Sequence, residues 1–298
     1  MVDVYLLSGF LGSGKTTALL NFIQQLKAEY KKPAVFMNEL GELPIDSNAV
    51  EGQVPLKEIL DGCICCSGAE KTEAQIQSLL IENEDIDVLL IETTGAAHPV
   101  EALDAVFSPL FADLLQVKGI ITIVDSKLWL NRETLSPRIH ALFTEQIKHA
   151  HILLANKSDL LTEDELLTVS VELAQLNGHA PIIQTINGQL GFDFIEKTLK
   201  KRLEKSTEPT IHARNLPLET KVIYFEEPVD LEQFESWVQS LPDTVYRMKG
   251  FVPLKGHQIP HLFQYAYGMV HWMPEQIKME SKIVVIGENI ASIAYENK

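Results

Sequence analysis

Short, almost uninterrupted apolar runs alternate with longer amphipathic stretches along the first two thirds of the chain. The runs are Val4–Leu7, Ala34–Met37, Asp87–Ile91, Gly119–Val124, Ile152–Leu154 and Pro181–Ile183. Runs with so little polar alternation predict strands covered on both faces, and the helix-length segments between them predict crossovers. The expected architecture is therefore α/β with a mostly parallel sheet. Thr17–Tyr30 and Glu163–Asn177 carry helical periodicity, and Thr162 with Glu165 forms a capping-box pair ahead of the second. After Phe192–Lys205 the pattern changes. Ser206–Pro217 is polar, contains two prolines and reads as a linker. Beyond it, Lys221–Phe225, Thr244–Val252, His261–Tyr267 and Lys282–Ile286 read as strands around one helix, Asp230–Ser240. The chain thus divides into residues 1–205, the linker 206–217 and a small α+β domain, 218–298.

Charge narrows the range of functions. Lys plus Arg number 25 against 41 Asp plus Glu, a formal net charge of -16 over 298 residues. Phosphate backbones are repelled over most of such a surface, so neither nucleic acid nor an anionic membrane is an expected partner; an enclosed phosphate site is still allowed. No apolar run reaches the roughly 20 residues of a membrane helix. The N-terminus enters a strand-like run at once, without the basic start of a cleavable signal, so a cytoplasmic protein is expected.

Gly9-Phe-Leu-Gly12-Ser13-Gly14-Lys15-Thr16 fits the phosphate-loop pattern G-x-x-x-x-G-K-[ST], between a predicted strand and a predicted helix. Glycines let successive N–H groups turn toward phosphate oxygens, and the helix that follows presents its positive end. Lys15 would reach the β- and γ-phosphates, the Thr16 hydroxyl would hold Mg²⁺, and Thr17 continues the segment. A glycine-rich strand-to-helix turn with a surface lysine is the plainer alternative. Asp87–Ile91 runs into Glu92-Thr-Thr-Gly95, which places an acid where it can order the metal's waters and Gly95 where it can give an N–H to the γ-phosphate. Asn156-Lys157-Ser-Asp159 closes another strand with N-K-x-D. A carboxylate there accepts from both guanine N1–H and the exocyclic amine, a donor pair adenine lacks, so GTP is the expected nucleotide.

All 3 cysteines fall within Gly62-Cys63-Ile-Cys65-Cys66. Adjacent cysteines pair only with strain, and an odd, clustered set is not a secreted disulfide framework. Three thiolates in one loop make a soft cage for Zn²⁺, and equally for Cu⁺ or Co²⁺. Glu39, Glu42 and a histidine are the candidate further ligands. Small buried residues, a purely structural zinc and a redox-sensing thiol are the competing readings. The cluster lies between the phosphate loop and Glu92, where nucleotide state can act on it. Among the dispersed histidines, His98 has the better claim to a ligand role because it follows the Glu92 motif so closely.

Taken together, Gly9–Thr17, Asn38-Glu39-Leu-Gly41-Glu42 with Asp46, Gly62–Cys66, Glu92–Gly95, Asn156–Asp159 and Tyr246-Arg-Met-Lys-Gly250-Phe resemble the CobW-like metal-chaperone GTPases, a group that includes the zinc-regulated GTPase metalloprotein activators. The resemblance implies a P-loop NTPase domain plus a small C-terminal domain, slow GTP hydrolysis with Mg²⁺, and metal bound through Cys63, Cys65 and Cys66. It also implies handover to a client metalloprotein, a first switch at Asn38–Asp46, Glu39 and Glu42 as accessory ligands or γ-phosphate sensors, and a subclass that often works as homodimers. Two features depart from the family: Ala97-His98-Pro99 stands where Ala-Asp-Pro is frequent, and there is no histidine-rich tract. The rival functions are a nucleotide-dependent metal sensor that delivers nothing and an ATP-dependent small-molecule kinase.

Overall fold

The structure is a computed structural model and describes residues 1–38, 54–59, 69–99, 103, 105–205, 219–266, 269–274, 280–287 and 290–295. Two compact units are present. The first comprises the described residues up to 205 apart from a short insert, and is built on a seven-stranded sheet. Its strands are β1 (Val2–Ser8), β2 (Pro33–Asn38), β3 (Leu56–Ile59), β4 (Val88–Glu92), β5 (Leu115–Asp125), β6 (Ile152–Asn156) and β7 (Ile182–Gln184). They lie in the order β3-β2-β4-β1-β5-β6-β7, with parallel pairing throughout.

Helices cover both faces: α1 (Lys15–Ala28), α2 (Ala69–Glu82), α3 (Ser126–Leu130), α4 (Pro137–Lys148), α5 (Glu163–Leu176) and α6 (Phe192–Lys205). Side-chain alternation along the strands feeds two separate cores. On one face Leu7, Leu90, Ile121 and Leu154 pack with Leu19, Phe22 and Ile23 of α1 and Phe192 and Ile195 of α6. On the other, Leu153 and Ala155 pack with Trp129 of α3, Phe143 and Ile147 of α4, and Val169 and Leu173 of α5. Each such leucine contributes about 1.5–3 kcal/mol by leaving water, which is why the strands read as continuous apolar runs. Helix starts are set locally. Ser136 caps α4 ahead of Pro137, and the Thr162–Glu165 capping box is formed at α5.

The second unit takes Phe107–Asp113 together with the described residues from 219 onward. Five antiparallel strands, β8 (Glu219–Tyr224), β9 (Val245–Val252), β10 (His261–Ala266), β11 (Met269–Pro274) and β12 (Lys282–Gly287), lie in the order β11-β10-β9-β12-β8. Phe234 and Val238 of α7 (Leu231–Gln239) pack on Met248, Phe263 and Val285. Asp113 is tied into this unit by hydrogen bonds from Lys282 Nζ at 2.8 Å and Tyr224 Oη at 2.9 Å. Among the described residues, no helix is long and apolar enough to cross a membrane.

Strand order positions the site. From β1 the chain moves outward through β2 and β3, returns to β4 beside β1, and then crosses to β5 on the other side of β1. Such a reversal leaves a crevice beyond the C-terminal ends of the central strands, where ligands of parallel α/β sheets bind.

Candidate functional site

The loop from Gly9 to Gly14 joins β1 to α1 with positive φ at Gly9, Gly12 and Gly14. A backbone of that kind makes a concavity of amide groups suited to anions. Gly14 has no room for a side chain, since an added Cβ would lie 2.6 Å from Asn156 Nδ2. Lys15 opens α1 and is buried, its ammonium donating to the carbonyls of Gly9 at 3.0 Å and Phe10 at 3.2 Å. Ser13 Oγ is buried with no hydrogen-bond partner among the described residues. An orphaned hydroxyl and a buried ammonium on one amide-rich loop fit a phosphate chain.

Parallel register brings the acid to this loop: Leu7 of β1 pairs with Glu92 of β4. The Glu92 side chain is 4% exposed and accepts from Thr16 Oγ1 at 2.9 Å. Adjacent oxygen donors of hydroxyl and carboxylate type suit a hard cation such as Mg²⁺. Past β4 the chain is fixed against the phosphate loop. Thr93 N donates to Leu7 O at 3.0 Å, and an added Cβ at Gly95 would lie 2.5 Å from Leu11 N, so only glycine permits this approach. The fully buried Gln146 of α4 holds the same turn, its Nε2 donating to Gly95 O at 3.2 Å and Ala97 O at 3.1 Å.

A third segment meets the first at Asn156. Its Nδ2 donates to Ser13 O at 2.8 Å, and its Oδ1 accepts from Gly188 N at 2.8 Å and Thr185 Oγ1 at 3.2 Å. Lys157 is left-handed (φ 59°) and donates to Asp125 Oδ2 at 2.6 Å; Asp125 in turn caps α3 through Leu128 N at 3.0 Å. Asp159 lies on the short turn Ser158–Leu160 and is exposed. Gly9, Gly12, Ser13, Gly14, Lys15, Thr16, Thr17, Glu92, Gly95, Asn156 and Lys157 thus share one edge of the sheet, with Asp159 on the turn directly after it. Glu39, Glu42, Cys63, Cys65 and Cys66, the 39–46 part of the first switch and the linker 206–217 lie outside the described residues.

Sequence reasoning missed Gln146, Asp125, Thr185 and Gly188. Two signals were available. Gln146 interrupts an apolar helical stripe between Phe143 and Ile147, and Asp125 ends an apolar strand run just as Glu92 does.

Beside the turn after β4, His98 meets Glu145 and His149 at the C-terminal end of α4. The two imidazoles stand edge to face with centroids 5.2 Å apart, and His149 Nε2 lies 3.4 Å from Glu145 Oε2. Burial, reinforced by His98, holds the His149 pKa below its ordinary value. Burial raises the Glu145 carboxyl, but Lys148, His149 and His98 more than offset it and leave its pKa lowered.

The family model for the CobW/HypB/UreG nucleotide-binding domain matches residues 3–184, and that for the cobalamin synthesis protein cobW C-terminal domain matches residues 218–298. The zinc chaperone YeiR of Escherichia coli is 33% identical over 191 residues, covering 64% of this chain and 57% of YeiR. The zinc chaperone CobW of Pseudomonas aeruginosa is 27% identical over 342 residues, covering 100% of this chain and 90% of its own. A zinc-bound triple mutant of the YjiA GTPase shares the fold, with a TM-score of 0.51 at 22% identity over 97% of this chain and 95% of that one. With a phosphate loop on β1, a buried acid on β4 and both family models matched in sequence, the chain belongs to the CobW/HypB/UreG nucleotide-binding family and carries the CobW C-terminal domain.

Proposed function

We propose that this protein is a GTP-hydrolysing metallochaperone that carries a transition metal, zinc in the first instance, on Cys63, Cys65 and Cys66 and passes it to a client metalloprotein. The observation that carries the nucleotide half is the convergence of Lys15, Thr16, Glu92 and Asn156 on the phosphate loop. The names of the relatives, zinc chaperones and a zinc-regulated GTPase metalloprotein activator, support the metal half.

The chain's own groups supply most of the chemistry. Lys15 leaves the Gly9 and Phe10 carbonyls for the anionic β- and γ-oxygens, exchanging neutral acceptors for charge-assisted ones. Loop amides and Lys15 then stabilise charge that develops during transfer of the γ-phosphoryl group to water. Thr16 and Glu92 would hold Mg²⁺, which when bound neutralises charge on the β- and γ-phosphates. Gly95 gives its N–H to the γ-phosphate, so the segment from Glu92 to Ala97 responds to hydrolysis together with the switch at Asn38–Asp46. Asp159 reads guanine. Zinc is the cargo, held as a thiolate complex with Glu39 and Glu42 as accessory ligands.

A competitive zinc titration with GTP·Mg²⁺, GDP or no nucleotide tests this reading. Zinc affinity should change at least several-fold with nucleotide, and a Cys63/Cys65/Cys66→Ser variant should lose its tight zinc site while still binding GTP. Full zinc affinity in that variant refutes the cysteine assignment.

A further inference from the structure

We infer that His98, Glu145 and His149 form a second transition-metal site, built from two imidazole nitrogens and one carboxylate oxygen and separate from the cysteines. Among the described residues, this is the set of histidine, cysteine and acidic side chains whose ligand atoms converge, each atom within 4.8 Å of the others. A zinc-class ion bonded at about 2.0–2.2 Å to nitrogen and oxygen needs neighbouring ligand atoms roughly 3.4 Å apart in a tetrahedral shell. His149 Nε2 and Glu145 Oε2 already stand at 3.4 Å, and a His98 nitrogen lies within 4.8 Å of a ligand atom of each; closure brings His98 nearer to both.

Local structure explains why the three meet. Glu145 and His149 are four residues apart at the end of α4 and project on one side of that turn. The carboxylate divides its oxygens: Oε1 takes the Lys148 ammonium at 2.8 Å, and Oε2 faces His149. His98 arrives from the turn after β4, which Gln146, set between the two α4 ligands, fastens through Gly95 O and Ala97 O. All three side chains are half-buried, enough to exclude part of the competing water while leaving a path for an ion. Nitrogen and oxygen donors of this mix select Zn²⁺ and its borderline neighbours over Mg²⁺ or Ca²⁺. Three protein ligands leave a fourth position for water, the arrangement of an accessible rather than a sealed zinc site. The site therefore bridges the turn that contacts the phosphate loop and the helix that holds this turn.

The test uses the full chain with Cys63, Cys65 and Cys66 changed to Ser, titrated with Zn²⁺ alone against a chromophoric chelator and with Co²⁺ for its absorption spectrum. One equivalent of zinc is expected, with cobalt d–d bands and no sulfur-to-cobalt charge transfer. His98→Asn or His149→Asn in that background should weaken zinc at least about tenfold. Should the cysteine-free chain fold poorly, His98→Asn in the otherwise unchanged protein serves instead: zinc stoichiometry falls from two to one while the sulfur-to-cobalt band stays. A cysteine-free, folded chain that binds no zinc, or zinc binding indifferent to both histidine changes, overturns the inference. The two sites fail separately. Loss of all zinc with the cysteines removes only the histidine site, and full zinc retention that depends on His98 removes only the cysteine assignment.

Discussion

Asn156 is the most demanding test of how the site is held together. It is 2% exposed and makes three hydrogen bonds that join the phosphate loop to the loop after β7: to Ser13 O, from Gly188 N and from Thr185 Oγ1. Asn156→Ala leaves the Ser13 carbonyl and the Gly188 N–H without this partner in a buried place. A buried backbone group so treated costs about 1–3 kcal/mol, so the pair sums to about 2–6 kcal/mol, the low end applying if a water enters the space. The Thr185 hydroxyl can rotate and adds little. For a unit of this size each kcal/mol lowers the melting midpoint by about 2–4 °C, which predicts a fall of about 4–24 °C in thermal unfolding followed by circular dichroism. Asn156→Asp keeps the acceptor for Gly188 N but sets a carboxylate oxygen against the Ser13 carbonyl, so it should do no better than alanine. GTP affinity should fall in both, because the misplaced segment is the phosphate loop itself. An alanine variant with an unchanged midpoint and unchanged GTP affinity would refute the claim that this side chain knits the two loops.

Gln146→Ala frees the carbonyls of Gly95 and Ala97; two buried hydrogen bonds at about 0.5–1.5 kcal/mol each predict a loss of about 1–3 kcal/mol in unfolding and a smaller preference for GTP over GDP in equilibrium binding. Asp159→Ala should weaken GTP roughly 100-fold or more while leaving ATP binding unchanged, since two donors of guanine lose a charged acceptor; equal losses for the two nucleotides would show that the exposed Asp159 does not read the base. In the second unit, hydrogen bonds from Lys282 and Tyr224 hold Asp113 below its ordinary pKa of 3.8. A group lowered on folding contributes stability that is complete above 3.8 and fades as pH falls through its folded value. Asp113→Asn should flatten that acid limb in urea unfolding between about pH 2 and 6 while leaving the slope above it unchanged.

The doubly covered sheet was legible because burial on both faces writes itself as apolar runs, and six of those runs became β1, β2, β4, β5, β6 and β7. β3 escaped notice because Leu56-Lys57-Glu58-Ile59 is a short edge strand with charges inside it, and β11 because His271 and Trp272 break the alternation of another edge. Phosphate-loop residues were readable for a different reason: glycine and lysine at fixed spacing answer to a ligand rather than to packing. The contacts that hold the loops in place leave no such trace, even where the residue itself is legible, as Asn156 is from N-K-x-D. Gln146 and Asn156 act across 51 and 143 residues of sequence, and nothing local says which carbonyl a buried amide will meet. The position of His98 after the Glu92 motif marks it in the sequence, but its partners follow only from the packing of α4 beside that turn.

The turn from Thr93 to Ala97 is where nucleotide and metal chemistry can be weighed against each other. It is hydrogen-bonded on one side to Leu7 of β1, where Gly95 also runs close beside Leu11 of the phosphate loop, and on the other to Gln146, while His98 follows directly in sequence. Glu145 and His149 are fixed on α4, so any displacement of the turn by a γ-phosphate changes the distance from His98 to both. Under the two proposals one element is biased from two ends, and the coupling must then be reciprocal. If GTP tightens zinc at the histidine site tenfold, zinc must tighten GTP tenfold, a coupling of about 1.4 kcal/mol. Both halves are measurable in the cysteine-free chain, where no sulfur signal intrudes. Zinc affinity equal within twofold in GTP and GDP would mean that the turn does not move with the γ-phosphate, and that His98 and its partners hold their ion independently of the nucleotide.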